Sequence, residues 1–259
     1  MTTLEVRHSP GSQKHDSPCT SDQLLRLRDH EKRLYSQNGE DGIIARLFEL
    51  LGTTNRYYVE FGTGTTGAQR NTRLLDQSDW TGLLMDLGAS ERAPNVKKER
   101  ITAENINQLF AKYDVPLEFD LLSIDIDGND YWVRKAIGRN YLPRVLVMEY
   151  NASFPPPQSK TITYDPNFYW RKTNYFGASL TALMKLNASF GYRLVFCDSR
   201  GINAFFIRED LVPQGFTATI EDIYRPVDFA GNILFGLGGI FWPMGVGHKS
   251  DPHRQMIDV

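Results

Sequence analysis

The sequence has little cysteine and no strong excess of charge, and each shortage excludes a class of protein. Two cysteines, Cys19 and Cys197, are too few for a disulfide framework or a cysteine-based zinc site in a chain of 259 residues. This shortage favours a reducing compartment, so a cytoplasmic location is expected. A formal net charge of −2 and a pI of about 6.2 give no general attraction to nucleic acid, and a nucleic-acid partner is not expected.

Long apolar segments are also lacking. No uncharged apolar run reaches the roughly 18 residues of a membrane span, and the N-terminal residues contain no apolar stretch of signal-peptide length. We therefore expect no membrane span and no export signal. The 41% hydrophobic and 23% charged residues are typical of a globular protein with its own core.

Three regions are predicted along the chain. Residues 1–21 contain few large apolar groups, which predicts a flexible N-terminal tail. Residues 22–230 form the predicted main domain. Residues 231–259 form a C-terminal extension, first apolar and then loose from His248 onward. Its apolar part predicts either packing against the domain or a homodimer interface.

Strand and helix patterns alternate across the main domain. Seven segments are predicted strands: RYYVEF, WTGLLMD, KKERIT, FDLLSIDI, RVLVMEY, YRLVFCD and NAFFIR. Helical patterns occur at 21–34, 38–52, 68–77, 105–113, 129–138 and 178–190. This alternation predicts a seven-stranded, mostly parallel sheet with helices on both faces. Because only SRGI separates the last two strands, the last strand is predicted to be antiparallel.

A glycine motif follows the first predicted strand. In YYVEFGTGTTG, the residues Gly62, Gly64 and Gly67 have the spacing G-x-G-x-x-G, which suits a tight turn that a cofactor can approach closely. Asp86 follows 19 residues after Gly67, at the end of WTGLLMD, where a dinucleotide site has the acid that binds ribose. An NAD(P)-dependent oxidoreductase is therefore one open interpretation.

Glu60 favours a different cofactor. It precedes Gly62 by two residues, and in methyltransferases an acid at this point helps to hold the cationic methionine end of S-adenosylmethionine. A dinucleotide site gains nothing from a carboxylate beside its pyrophosphate. In a third interpretation the glycines form only a strand-to-helix turn.

Carboxylates end the fourth and fifth predicted strands. LLSIDIDGNDYWV has Asp125 and Asp127 at the carboxyl end of its strand, where open α/β sheets bind ligands, and Glu149 ends the next strand. Adjacent strand ends should bring these acids into one crevice. There they could orient or deprotonate an acceptor, or share a divalent cation through oxygen ligands. Asp127 suits a helix cap equally well, and a structural carboxylate bonded to loop amides is the alternative to a metal ligand.

Histidine offers no obvious base, because all five histidines lie outside the predicted sheet region. A catalytic imidazole would need a tail folded over the site, so a carboxylate base is the better hypothesis. The segment 151–176, NASFPPPQSKTITYDPNFYWRKTNYF, is long, aromatic and interrupted by proline, which predicts a substrate-facing lid.

Eight segments together carry a family resemblance. In chain order they are YSQNGEDGI (35–43), YVEFGTG (58–64), RNT (70–72), WTGLLMD (80–86), LLSIDIDGNDYWV (121–133), VLVMEYN (145–151), YFGASLTAL (175–183) and GINAFFIR (201–208). This succession resembles the FkbM-like methyltransferases, in the branch with S-I-D-I-D-G-N-D-Y, over about residues 35–225. The resemblance implies a Rossmann-like class I methyltransferase fold, binding of S-adenosylmethionine, and O-methyl transfer to a small-molecule or glycan hydroxyl.

The resemblance also assigns roles to individual residues. Glu60 and the glycines after it would line the methionine part of the cofactor, and Asp86 would hold its ribose. Asn105 lies where the adenine could pass, although a helix cap is its plainer role. The cofactor-binding set is thus Glu60, Gly62, Thr63, Gly64, Asp86, Leu87, Asn105 and Asp125, and the catalytic set is Asp125, Asp127 and Glu149.

The sequence departs from the family in three places. Asp127 stands where relatives commonly have Glu, which keeps the charge and shortens its reach. The glycine turn differs from the commoner D-v-G-A-n-x-G pattern, and residues 152–174 and those after 230 match nothing, so acceptor specificity is expected to lie there. A non-catalytic interaction protein with this fold remains a further alternative, because a fold does not entail a function.

Overall fold

The computed structural model describes residues 19–68, 70–91, 93, 95–228 and 248–259. Most of the predicted N-terminal tail and the apolar segment 231–247 lie outside these residues, so the division into three regions stays a prediction. No helix in the described part of the chain is long and apolar enough to cross a membrane.

A seven-stranded sheet forms the centre of the fold. Its strands in chain order are β1 (Tyr57–Phe61), β2 (Thr81–Asp86), β3 (Val96–Lys98), β4 (Glu118–Ile124), β5 (Leu142–Glu149), β7 (Tyr192–Cys197) and β8 (Asn203–Arg208), while β6 (Lys160–Thr161) and β9 (Ile257–Asp258) pair separately. The spatial order is β3-β2-β1-β4-β5-β8-β7. Strands β1 to β5 are parallel, and β8 runs antiparallel to both β5 and β7. The predicted seven-stranded, mostly parallel Rossmann-like sheet with its antiparallel last strand is therefore confirmed.

The described helices surround this sheet. They are α1 (Ser21–Leu25), α2 (Glu40–Leu51), α3 (Ile106–Lys112), α4 (Asp130–Ile137), α5 (Leu180–Ser189) and α6 (Ile220–Ile223). In β4 every residue from Phe119 to Ile124 is buried. Because successive side chains of a strand point to opposite faces, the centre of the sheet is covered on both sides.

The chain after β1 differs from the predicted helix at 68–77. Only a 3-10 helix, Arg73–Gln77, forms there. The carboxylate of Glu60 accepts hydrogen bonds from the backbone N–H groups of Asn71 (2.8 Å) and Thr72 (2.9 Å). In a helix over 68–77 these N–H groups would donate to carbonyls four residues earlier, so the buried acid replaces the helical pattern. The predicted strand KKERIT is likewise corrected to the shorter, earlier β3.

The C-terminal residues 248–259 lie against the predicted lid and are more ordered than the loose end expected for them. Strand β9 pairs antiparallel with β6, inside the segment 152–174. The guanidinium of Arg254 lies 4.4 Å from the ring centre of Tyr175 and 5.5 Å from that of Phe168. A segment without a pattern of its own is thus ordered by pairing with a loop far away in sequence.

Candidate functional site

Two adjoining cavities open at the carboxyl ends of the central strands. The first has a volume of about 280 Å³ and the second about 550 Å³. Gly62, Gly64, Asp125, Asp127 and Trp170 line both of them. This edge of an open α/β sheet is where ligands bind, and the carboxyl ends of the central strands meet there as expected.

The glycine turn brings the ends of β1 and β4 into close contact. Gly62 has φ +82°, and a Cβ at this position would lie 1.2 Å from the carbonyl oxygen of Asp125. Gly64 has φ +71°, but a Cβ there would meet no atom within 4 Å. Both glycines therefore adopt a left-handed backbone, but only Gly62 is confined by the protein itself. Gly64 borders open cavity space.

Glu60 is buried behind this turn. One oxygen accepts the Asn71 N–H, and the other accepts the N–H and the hydroxyl of Thr72. Burial raises the pKa of its carboxyl, while the hydrogen bonds from Thr72 and Asn71 and the charge of Arg70 oppose that rise. Glu60 lines the second cavity as well, so it both shapes the loop and contributes negative charge to the cavity wall.

Asp86 links the glycine turn to the end of β2. Its two oxygens accept the N–H of Gly64 at 2.8 Å and the N–H of Gly88 at 2.6 Å. The side chain is half-buried and lines the first cavity together with the exposed Leu87. Two backbone bonds fix the carboxylate and leave acceptor capacity on each oxygen, as recognition of a diol requires.

The remaining predicted cofactor residues lie in different surroundings. Thr63 is buried and lines the second cavity. Asn105 stands at the N-terminus of α3 and borders neither cavity. Its amide accepts the N–H of Thr102 at 2.9 Å and donates to the carbonyl of Arg100 at 2.8 Å. The structure therefore brings Asn105 into a loop-stabilising position, separate from the other members of the set.

Asp125, Asp127 and Glu149 come together as a cluster of three carboxyl groups. Each offers one oxygen, and these three oxygens lie within 4.8 Å of one another. Burial and the neighbouring charge of Asp127 raise the pKa of Asp125 well above its usual range. Burial and the charge of Asp125 do the same for the pKa of Glu149. The convergence expected from the strand ends is thus present in the fold.

Asp127 protrudes from the loop that follows β4. Its backbone has φ +58°, a strained value for a residue with a side chain. Asp130 fixes this loop by accepting the N–H groups of Ile126 and Gly128, each at 2.9 Å. These bonds stay within the loop before α4, and Asn129 occupies the N-cap of that helix without a side-chain cap bond. Desolvation, followed by the charges of Asp130 and Asp86, raises the pKa of Asp127 to about 6.

Several cavity residues were not found by sequence reasoning. Glu40 at the start of α2 and Asn203 at the start of β8 both line the second cavity. They occur within two of the segments that carry the family resemblance, which was the available signal. Nothing in either segment indicates that Asn203 stands directly opposite Glu149 in the β5–β8 pair.

His248 also lines the second cavity. The C-terminal residues fold back over the site, as a histidine in this part of the chain would need them to do. Its ring packs edge-on against Trp170 (5.1 Å between ring centres) and Phe176 (5.0 Å). Burial lowers the pKa of His248 to about 4. The imidazole is thus neutral near pH 7 and extends the aromatic wall of the lid.

Phe168, in the segment predicted to be a lid, lies close to Gly128 in the loop after β4. A Cβ on Gly128 would lie 2.2 Å from Cδ1 of Phe168, and the φ of Gly128 lies outside the left-handed region. Gly128→Ala should therefore displace the ring without straining its own backbone. We expect Gly128→Ala to lose about 1–3 kcal/mol of unfolding free energy in chemical denaturation, the usual cost of an extra methyl group in a close contact.

The double variant Gly128→Ala/Phe168→Leu is the matched control for this prediction. The smaller side chain leaves room for the new methyl group, so adding Gly128→Ala to Phe168→Leu should lower stability much less than adding it to the unaltered protein. A Gly128→Ala variant as stable as the unaltered protein would contradict the close contact.

Comparisons with known proteins give distant structural likenesses. No family model and no curated protein matches the sequence. A protein from Klebsiella pneumoniae described as a “putative O-methyltransferase” shares 13% identity over 72% of this chain and 87% of its own, with a TM-score of 0.35. An S-adenosylmethionine-dependent methyltransferase from Clostridium acetobutylicum ATCC 824 shares 10% over 73% and 92%, with a TM-score of 0.34.

A third solved structure, the small RNA methyltransferase HEN1, shares 10% identity over 80% of this chain and 27% of its own, with a TM-score of 0.29. All three are methyltransferases by description. Because scores of this size carry no argument about function, the assignment of the fold rests on the strand order and directions of the sheet itself.

Proposed function

We infer that this protein is an S-adenosylmethionine-dependent methyltransferase that transfers a methyl group to a hydroxyl of a small molecule or glycan. The observation that carries this proposal is the pair of adjoining cavities joined over Gly62 and Gly64. One cavity contains a fixed carboxylate, Asp86, and the other contains the cluster of acids. A nucleoside cofactor and an acceptor could thus meet over the glycine turn.

The cofactor would be bound by residues on both sides of this turn. Asp86 would accept the ribose hydroxyls in the first cavity, beside Leu87. Glu60, Thr63 and Gly64 would border the methionine part in the second, where negative charge suits a cationic amino group and sulfonium. When bound, S-adenosylmethionine supplies an electrophilic methyl carbon on a positively charged sulfur.

The oxidoreductase alternative loses support at the glycine turn. A dinucleotide site uses the N-terminus of the helix after this turn to bind pyrophosphate. Here the described residues after Gly64 form turns and then the 3-10 helix Arg73–Gln77. The second cavity also has five carboxyl-bearing residues in its wall, which would repel a pyrophosphate.

The acceptor would lie in the second cavity. Amide side chains in its wall, from Gln37, Asn38, Asn71 and Asn203, offer donors and acceptors suited to a hydroxyl-rich molecule. Asp125 and Glu149 would orient the reacting hydroxyl and accept its proton, because buried carboxyl groups with a raised pKa are stronger bases. Trp170 would exclude water from the reacting atoms.

Calorimetric titration tests this proposal directly. S-adenosylhomocysteine and NADH are titrated separately into the purified full chain. We expect binding of S-adenosylhomocysteine and none of NADH. Binding of NADH alone would favour the oxidoreductase, and a folded protein that binds neither would favour the non-catalytic interaction protein. The cytoplasmic location and a homodimer stay predictions.

A further inference from the structure

The second cavity has more negative charge than the protein around it neutralises. Five of its described wall residues carry carboxyl groups: Glu40, Glu60, Asp125, Asp127 and Glu149. Among the described wall residues, Arg70 alone carries a permanent positive charge. Its guanidinium already bonds the carbonyl of Gly67 and the carboxylate of Asp76. Charges held this close in a partly desolvated site need a counter-charge or protons.

Among the described wall residues of this cavity, two buried oxygen atoms accept no hydrogen bond from the protein. One is Oε2 of Glu149, and the other is Oδ1 of Asn203. Asn203 is 2% exposed, and its Nδ2 donates to Glu40 at 2.7 Å. That bond fixes the orientation of the amide, so the remaining atom is an acceptor oxygen. A buried acceptor without a protein donor is an atom that a bound water or a cation satisfies, and here it stands beside a cluster of acids.

The two unpartnered oxygens belong to neighbouring residues. Glu149 and Asn203 stand opposite each other in the β5–β8 pair, so their side chains leave the sheet side by side. Asp125 and Asp127 approach from the end of β4, and one oxygen of each lies within 4.8 Å of one oxygen of Glu149. A cation at about 2.0–2.6 Å from its ligands spans at most about 5 Å between two of them.

We propose that Asp125, Asp127, Glu149 and Asn203 form a binding site for a divalent cation with oxygen ligands, of the Mg²⁺, Mn²⁺ or Ca²⁺ type. The ligand set is carboxylates and one amide oxygen, which these hard cations prefer, and Cys19 and Cys197 line neither cavity. Two further acids support these ligands. Asp130 bonds the loop that carries Asp127, and Glu40 accepts a hydrogen bond from the amide of Asn203.

This site deepens the proposed function and rests on it for its role. A cation here would bind the acceptor hydroxyl beside the cofactor and make it more acidic, and Asp125 and Glu149 would then serve as its ligands in place of the base role given to them above. The binding of the cation itself is a property of the chain that can be measured without cofactor or acceptor.

Manganese binding tests the site. Mn²⁺ is titrated into the full chain, and free Mn²⁺ is measured by electron paramagnetic resonance in the absence of cofactor. We expect one bound ion, displaced by Mg²⁺ or Ca²⁺. Glu149→Gln and Asp125→Asn should each weaken binding at least about tenfold. Glu99→Gln is the matched control, because Glu99 lines the first cavity and is bound by Lys112 and Tyr113, and it should bind Mn²⁺ as the unaltered protein does.

Melting temperatures show whether Glu149→Gln is folded, and so separate a loss of cation binding from a loss of structure. Without metal, Glu149→Gln should melt at the same temperature or higher, because it removes a buried charge. Added Mn²⁺ should raise the melting temperature of the unaltered protein and leave that of the variant unchanged. Absence of Mn²⁺ binding to the unaltered chain, or equal binding by folded Glu149→Gln, would overturn the site. If S-adenosylhomocysteine still binds in that case, the cation site alone has failed.

Discussion

Gly62→Ala is expected to lose about 3–5 kcal/mol of unfolding free energy, from a strained backbone and a steric clash. The new Cβ would lie 1.2 Å from the carbonyl oxygen of Asp125 and 2.3 Å from its carbonyl carbon. Backbone atoms cannot rotate away as a flexible side chain can, so β1 and β4 would have to separate. Chemical denaturation followed by circular dichroism measures the loss.

Gly64→Ala is the matched control, and it separates folding from cofactor binding. Its φ of +71° gives the same backbone strain, but its Cβ meets no protein atom within 4 Å. We expect a loss of only about 1–2 kcal/mol in stability. The same methyl group would project into the space between the two cavities, so S-adenosylhomocysteine should no longer bind measurably. Unchanged binding by Gly64→Ala would contradict a cofactor site at this turn.

Asp86→Asn is expected to weaken the binding of S-adenosylhomocysteine about 10- to 100-fold, because hydrogen bonds to a charged group contribute about 1.5–3 kcal/mol. The variant keeps one acceptor oxygen but loses the negative charge and half of the acceptor pair. Calorimetric titration measures the affinity. Since Asp86 also accepts the N–H of Gly64, a change in the turn could lower the affinity by itself.

A ligand analogue separates these two effects. The unaltered protein should bind the 2′,3′-dideoxy analogue of S-adenosylhomocysteine more weakly than the parent compound, whereas Asp86→Asn, which keeps one acceptor oxygen, should discriminate less between them. A variant that discriminates as strongly as the unaltered protein would show that Asp86 does not contact the ribose. Glu99→Gln, in the same cavity, should change either affinity by less than about twofold because its charge is already paired at the surface.

The predictable parts of this fold depend on local patterns. Buried parallel strands require nearly continuous apolar runs, such as LLSI in β4 and VLVM in β5, and these identified the sheet. The carboxyl ends of parallel strands share one edge, so Asp125 and Glu149 could be expected in one crevice before their distance was known. The hairpin followed from a connection too short for a helix.

The predictions that proved wrong concern places where a side chain accepts hydrogen bonds from backbone N–H groups. The helix over 68–77 is replaced by turns because Glu60, eleven and twelve residues earlier, accepts the N–H groups of Asn71 and Thr72. The helix cap considered for Asp127 is not formed, because Asn129 stands at the N-cap of α4 without a side-chain cap bond and Asp130 bonds the loop before the helix. The residue type shows which side chains are able to form such bonds with the backbone. Burial and the position of the side chain in the fold decide which of them form.

The sequence by itself determined the class of sheet, the glycine turn and the acids at the strand ends, because hydrophobic period and turn chemistry act over a few residues. Only the tertiary structure brought Asn203 opposite Glu149 and His248 against Trp170. These partners come from segments far apart in the chain, and their pairing depends on how the sheet and the C-terminal residues pack together. Local sequence patterns do not determine contacts between such distant segments, so these parts of the second cavity's wall could be identified only in the folded chain.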